Sequence, residues 1–148
     1  MARVLVVDDE MATLKTICGC LNRAGFRTTP AATGRDAKAC ALREPPDVAF
    51  LNLLLPDMDG LTLFKTLQRQ HPYMVGVIVT GHGTASSAVQ CLEAGLADYI
   101  EKPIHPEELP DFVTRLLWRH GFPGPPETGF ELQRSQVRRT LALLRPLC

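Results

Sequence analysis

Five side chains have the types that metal or phosphoryl chemistry uses, and each stands at the end of an apolar run. Asp8 and Asp9 follow VLVV, Asn52 follows VAFL, Thr80 ends VGVIVT, and Lys102 follows DYIE. Adjacent carboxylates raise each other's pKa unless a cation neutralises them. Hard oxygen ligands in a small, partly open site suit Mg²⁺, which keeps several of its waters. A lysine and a hydroxyl facing the ion would complete a pocket for a phosphoryl group, stabilising its equatorial oxygens. Each signal alone has an ordinary structural explanation. A DD pair after a strand is equally a helix N-cap, with Asp9 capping the helix that follows. A strand-end threonine usually satisfies its own hydroxyl, and a KP pair is usually loop. The argument rests on their succession along the chain.

For these groups to meet, the runs that carry them must lie side by side and point the same way. Arg3 to Val7 reads as a strand, followed by Met11, Leu14, Ile17, Cys18 and Leu21 at helical spacing, with Gly25 as the stop. Phe26 to Pro30 reads as a second strand, placed at an edge by its proline. Thr33 is set to cap a helix that runs to about Arg43, before Pro45 and Pro46. Val48 to Leu51 is short, apolar and suited to a fully buried strand. Pro56, Asp57, Asp59 and Gly60 form a turn-rich loop, in which the two aspartates serve the turn and the next helix N-terminus. That helix carries Leu61, Phe64 and Leu67. Val75 to Thr80 is a fourth strand, Ala85 to Leu92 a fourth helix, and Ala97 to Glu101 a fifth strand. Leu109, Phe112, Val113, Leu116 and Leu117 share one side of a fifth helix, in which Pro110 requires a late start or a kink. Such alternation implies βαβ units, a five-stranded parallel sheet and helices on both faces. Ligands bind outside the carboxyl ends of strands in such sheets, where all five side chains fall.

The bulk composition, 45% hydrophobic and 22% charged over 148 residues, suits one globular domain. Formal net charge is zero, so no global field favours nucleic acid or an anionic membrane. The N-terminal apolar run meets acid at Asp8, too early for a signal peptide or a membrane span. Five cysteines without a CxxC or Cys/His cluster argue against a disulfide framework or a zinc site, and for reduced thiols in a cytoplasmic protein. The expected division is a domain over 1–119, a Pro/Gly linker over 120–130 (HGFPGPPETG from His120 to Gly129) and an amphipathic helix over 131–148. That helix carries Arg134, Arg138, Arg139 and Arg145 and is a candidate dimerisation element or the start of an effector region. It is too short for a helix-turn-helix unit and has no aromatic partners for its arginines, so no nucleic acid is expected to bind this chain itself.

The motifs VLVVDDE, DVAFLNLLLPDMDG, IVTGHG and DYIEKP resemble the receiver domain of bacterial two-component response regulators, over about Ala2 to Arg119. The resemblance implies a (βα)₅ flavodoxin-like fold. It implies Mg²⁺ held by Asp8, Asp9 and the backbone carbonyl of Leu54, a phosphoryl-contacting hydroxyl at Thr80, and an active-site lysine at Lys102. It also implies a cis peptide bond between Lys102 and Pro103, and an aromatic switch at Tyr99. The GHGT wording after Thr80 looks most like receivers that control transcription. Partners would be a sensor histidine kinase or another signalling protein, and a second copy of the chain.

The departure is at Asn52. The family's phosphoacceptor is an aspartate four residues before the loop proline, and Pro56 points back to Asn52. A carboxylate can attack phosphorus, whereas a carboxamide is neutral, with its nitrogen lone pair delocalised. The expectation is a receiver that is not phosphorylated at Asn52, binds Mg²⁺ weakly and pairs Lys102 with Asp8 or Asp9. It would work through contacts on the face formed by the fourth helix, fifth strand and fifth helix. The alternative is an ordinary phospho-accepting receiver of a transcriptional regulator in which the aspartate has been replaced by engineering. An enzyme on the same fold, such as a phosphatase or flavoprotein, is disfavoured: no Gly-rich phosphate loop follows the first strand, and no nucleophile has a base nearby.

Overall fold

The computed structural model describes residues 2–122. The helix expected over 131–148, and the linker beyond Phe122, lie outside the described residues. Strands β1 (Arg3–Val7), β2 (Arg27–Ala31), β3 (Val48–Leu51), β4 (Val75–Thr80) and β5 (Asp98–Glu101) alternate with helices α1 (Met11–Arg23), α2 (Gly34–Arg43), α3 (Gly60–Gln70), α4 (Ala85–Glu93) and α5 (Leu109–Arg119). All strand pairs are parallel, in the order β2-β1-β3-β4-β5. β2, with Pro30, is an edge strand as its sequence requires.

Side chains alternate across a strand, and the sheet sorts its apolar residues accordingly. Leu5, Val7, Ala49, Leu51 and Ile78 face α2 and α3, meeting Ala37, Ala41, Leu63, Phe64 and Leu67. Val4, Val6, Val48, Phe50, Val77 and Val79 face α1 and α5, meeting Leu14, Ile17, Leu21, Val113 and Leu116. Each layer removes a branched apolar face from water, worth about 25 cal/mol per Å² buried. The Phe50 and Phe112 rings lie 6.2 Å apart across the second layer. Because β1 and β3 are covered on both faces, β1 is apolar after Arg3 and β3 throughout, and the next polar residue appears where each strand leaves the core.

The late start expected for the last helix occurs. A 3₁₀ turn, Pro106–Glu108, precedes α5, and Pro110 sits in the first turn of α5, where the missing N–H is not needed. Gly25 ends the turn after α1 with φ 97°, in the left-handed region glycine tolerates.

Candidate functional site

The order of the strands reverses between β1 and β3, because α1 returns the chain to one side of β1 and α2 carries it to the other. That crevice is where a parallel α/β sheet opens for a ligand. Asp8 and Asn52 stand on its two sides. Each is held by a backbone bond to the neighbouring strand: Asp8 N–H donates to the Ala31 carbonyl (3.0 Å) and Asn52 N–H to the Val7 carbonyl (2.9 Å). Lys102 N–H donates likewise to the Thr80 carbonyl (2.9 Å). The sheet ladder therefore runs one residue past three strands and sets the backbone of each polar residue.

Three of these polar side chains are buried: Asp8 is 2% exposed, Asn52 6% and Thr80 0%. The Asn52 Nδ2 donates to the Leu54 carbonyl (2.9 Å), Asp9 Oδ1 (3.2 Å) and Asp8 Oδ1 (3.4 Å). Lys102 Nζ bridges Asp8 Oδ2 (2.7 Å) and Glu10 Oε1 (2.6 Å). The expected lysine–carboxylate pairing thus goes to Asp8 rather than Asp9, with Glu10 as a second partner. Burial pushes the Lys102 ammonium down, but its hydrogen bonds to Asp8 and Glu10 and their charges outweigh burial and hold it above the usual lysine value. The same Lys102 bond draws Glu10 below the usual glutamate value.

Asp9 does not cap the first helix. The N-cap position of α1 is Glu10, which makes no side-chain cap bond, and Glu10 N–H instead donates to Asp8 Oδ1 (2.9 Å). Asp9 is left to face Asn52. The Thr80 hydroxyl accepts from His82 N–H (3.1 Å), within its own loop. The Lys102–Pro103 bond is cis. Tyr99 is half-buried against the α2–α3 layer, and its hydroxyl lies 3.0 Å from Ser87 Oγ at the start of α4.

The β3–α3 loop is tied down at both ends. Asp59 caps α3 by accepting from Thr62 N–H (2.7 Å), as expected, while Asp57 reaches back to α2 and accepts from Gly34 and Arg35 N–H (2.9 Å each). Gly60 N–H donates to the Leu53 carbonyl (2.6 Å), and a β-carbon at Gly60 would overlap the Asn52 carbonyl. The loop between them carries the Leu54 carbonyl back over Asn52.

Two contributors escaped the sequence reading. Glu10 was legible only as the third acid of DDE, with nothing to say which of the three would meet Lys102. Ser87 sits three residues after Thr84, the spacing of a capping box, which the two residues form.

Hard oxygens from Asp8, Asp9 and Leu54 converge on one point, now taken by the Asn52 amide nitrogen. Among the described residues no group of three or more His, Cys, Asp or Glu side chains is arranged to hold a metal. The oxygens that could hold an ion here are those of two carboxylates and one backbone carbonyl, a hard donor set of the kind Mg²⁺ takes with water. No helix of the described residues is long and apolar enough to cross a membrane.

A family model described as the response regulator receiver domain matches residues 4–114. The alginate biosynthesis transcriptional regulatory protein AlgB of Pseudomonas aeruginosa is 38% identical over 107 residues, which are 72% of this chain and 24% of that protein. The photosynthetic apparatus regulatory protein RegA of Rhodovulum sulfidophilum is 32% identical over 133 residues, 88% of this chain and 70% of that protein. The chain thus spans about a quarter of the length of AlgB. Among solved structures, a CheY-like receiver domain protein from Methanospirillum hungatei superposes with a TM-score of 0.77 at 31% identity, covering 81% of this chain and 96% of the other.

Proposed function

We propose, from the premise that this chain belongs to the response regulator receiver domain family, that it is a two-component signalling module whose phosphoacceptor position is Asn52. On this reading it is a regulatory module rather than an enzyme, it takes no phosphoryl group at Asn52, and it signals through protein contacts. The observation that carries the reading is a carboxamide at the carboxyl end of β3, facing Asp8, Asp9 and the Leu54 carbonyl. These neighbours support reading the site as a phosphorylation pocket whose central residue lacks the nucleophile.

Asp8, Asp9 and the Leu54 carbonyl are the groups that would hold Mg²⁺, weakly because the pocket has one negative charge fewer than an aspartate would give it. When bound, the ion would neutralise phosphoryl oxygens. Thr80 and Lys102 would contact those oxygens, and Lys102 would first have to leave Asp8 and Glu10. The partner surface is the α4–β5–α5 face, where Val89 (54%) and Leu92 (52%) stand exposed one turn apart on α4. Its occupant is a sensor histidine kinase or other signalling protein in the cytoplasm, or a second copy of the chain. AlgB is a transcriptional regulator by name, which supports transcription as the process controlled.

A second reading is favoured by the intact remainder of the pocket: an ordinary phospho-accepting receiver in which aspartate has been replaced by Asn52. Intact mass after incubation with acetyl phosphate and Mg²⁺, beside an Asn52→Asp variant, tests both. Mass gained only by the variant means that Asn52 alone silences a competent site and favours the second reading. No gain by either favours a module that has left phosphorylation altogether. Mass gained at Asn52 in the unmodified protein would sink both.

A further inference from the structure

Asn52 Nδ2 has more acceptors than hydrogens. It carries two N–H bonds and faces three oxygens, at 2.9, 3.2 and 3.4 Å. At the other end of the amide, Oδ1 is buried without a hydrogen-bond partner among the described residues. Turned end for end, the amide would set Oδ1 against two carboxylates and a carbonyl, lone pairs against lone pairs. The acceptors therefore decide the orientation, at the cost of an unsatisfied buried oxygen.

Oxygens from three residues of two separate loops that converge on one electropositive atom describe a cation site. The geometry points to the Asn52 amide nitrogen as the internal occupant of that site, competing with a divalent ion for Asp8, Asp9 and the Leu54 carbonyl. This goes beyond a missing charge. An acceptor that is merely neutral lowers metal affinity by attracting the ion less. A competing amide lowers it by having to be moved, and it holds the two loops together when no ion is bound. Lys102 does the same for the outer oxygen of Asp8, at 2.7 Å. The inference rests on the reading of Asp8, Asp9 and Leu54 as the ion's ligands.

The two accounts differ in sign at one substitution. Asn52→Ala removes a side chain that, on the simple account, contributes nothing or offers its carbonyl to the ion, so affinity stays equal or falls. On the competition account it removes the occupant, and affinity rises although the site has gained no ligand. The test is calorimetric titration of the full 148-residue chain with Mg²⁺, for the unmodified protein, Asn52→Ala and Asn52→Asp. Asn52→Asp is expected to bind tightest and the unmodified protein weakest. Asn52→Ala is expected to bind about tenfold tighter than the unmodified protein, the order set by hydrogen bonds from one donor to charged acceptors. Equal or weaker binding by Asn52→Ala overturns the inference.

Should Asn52→Ala fail to fold, the side-chain amide signals of Asn52 in ¹⁵N-labelled unmodified protein decide instead. They must shift on Mg²⁺ saturation, because the N–H groups lose their three acceptors, and unmoved signals overturn the inference. Absence of binding by Asn52→Asp would remove the ligand reading beneath it. Phosphoryl transfer to unmodified Asn52 would remove the functional reading while leaving the competition result standing.

Discussion

Gly60 and Asn52 touch through their backbones: a β-carbon on Gly60 would overlap the Asn52 carbonyl oxygen and crowd the Leu53 α-carbon. The first residue of α3 therefore lies against the two residues that follow β3, and the Gly60 N–H bond to the Leu53 carbonyl fixes that approach. Neither partner can yield cheaply, since both are backbone and Asn52 N–H is tied to β1. Gly60→Ala is expected to destabilise the fold by about 1–3 kcal/mol, the usual cost of overpacking. Urea unfolding with an unchanged m-value checks it, and a loss under about 0.5 kcal/mol would mean that the loop can move aside.

Asp57 belongs to the β3–α3 loop but serves α2, where both carboxylate oxygens accept backbone N–H groups, from Gly34 and Arg35. Those bonds, first Gly34 and then Arg35, hold its carboxyl below the usual aspartate value. A depressed pKa contributes stability that is present above the unfolded value, about 3.9, and is lost as pH falls through the folded one. Asp57→Asn keeps the shape but offers one acceptor oxygen for two donors. The melting temperature of the variant is expected to lie below that of the unmodified protein near pH 6. The gap should narrow as pH drops below about 3.9, where the unfolded carboxyl protonates first, and close once pH has fallen below the depressed folded value. A gap independent of pH would show that the loss is steric rather than ionic.

Strands and helices were legible because their signals are local and repeated. Runs such as VLVV and VAFL are apolar throughout only when both faces of a strand are covered, and the polar residues after them mark where the sheet ends. Pro110 was legible for a similar reason, since its ring permits few positions in a helix. The contacts that knit the site have no such period. Lys102 meets Glu10 across 92 positions and Asp57 meets Gly34 across 23, and neither spacing follows from a turn or a helix. Asp9, which has the sequence position of a cap, illustrates the limit. The side chain that orders the start of α1 is Asp8, one residue earlier, which accepts from Glu10 N–H while its outer oxygen holds Lys102.

Tyr99 sits where Gly83 leaves room for it. A β-carbon on Gly83 would overlap the Tyr99 hydroxyl, which Ser87 holds at 3.0 Å. The ring thus bridges β5 and the loop that leads from Thr80 into α4. The obstructed atom is the far end of a side chain that can rotate, so Gly83→Ala should cost little stability but turn the ring away from Ser87. Ser87→Ala removes the hydrogen bond and leaves the space, so the ring should stay. Only two tyrosines are present, and Tyr73 is exposed, so Tyr99 ring signals can be assigned by NMR in a Tyr73→Phe background. The expected result is a large shift of those signals in Gly83→Ala and a small one in Ser87→Ala. Equal shifts would make the hydrogen bond the determinant of the ring's position, and no shift in Gly83→Ala would mean that the loop yields instead. A ring displaced without loss of the fold would identify the Gly83–Tyr99 contact as the part of this surface that can take two positions, the requirement for a switch that a partner can read.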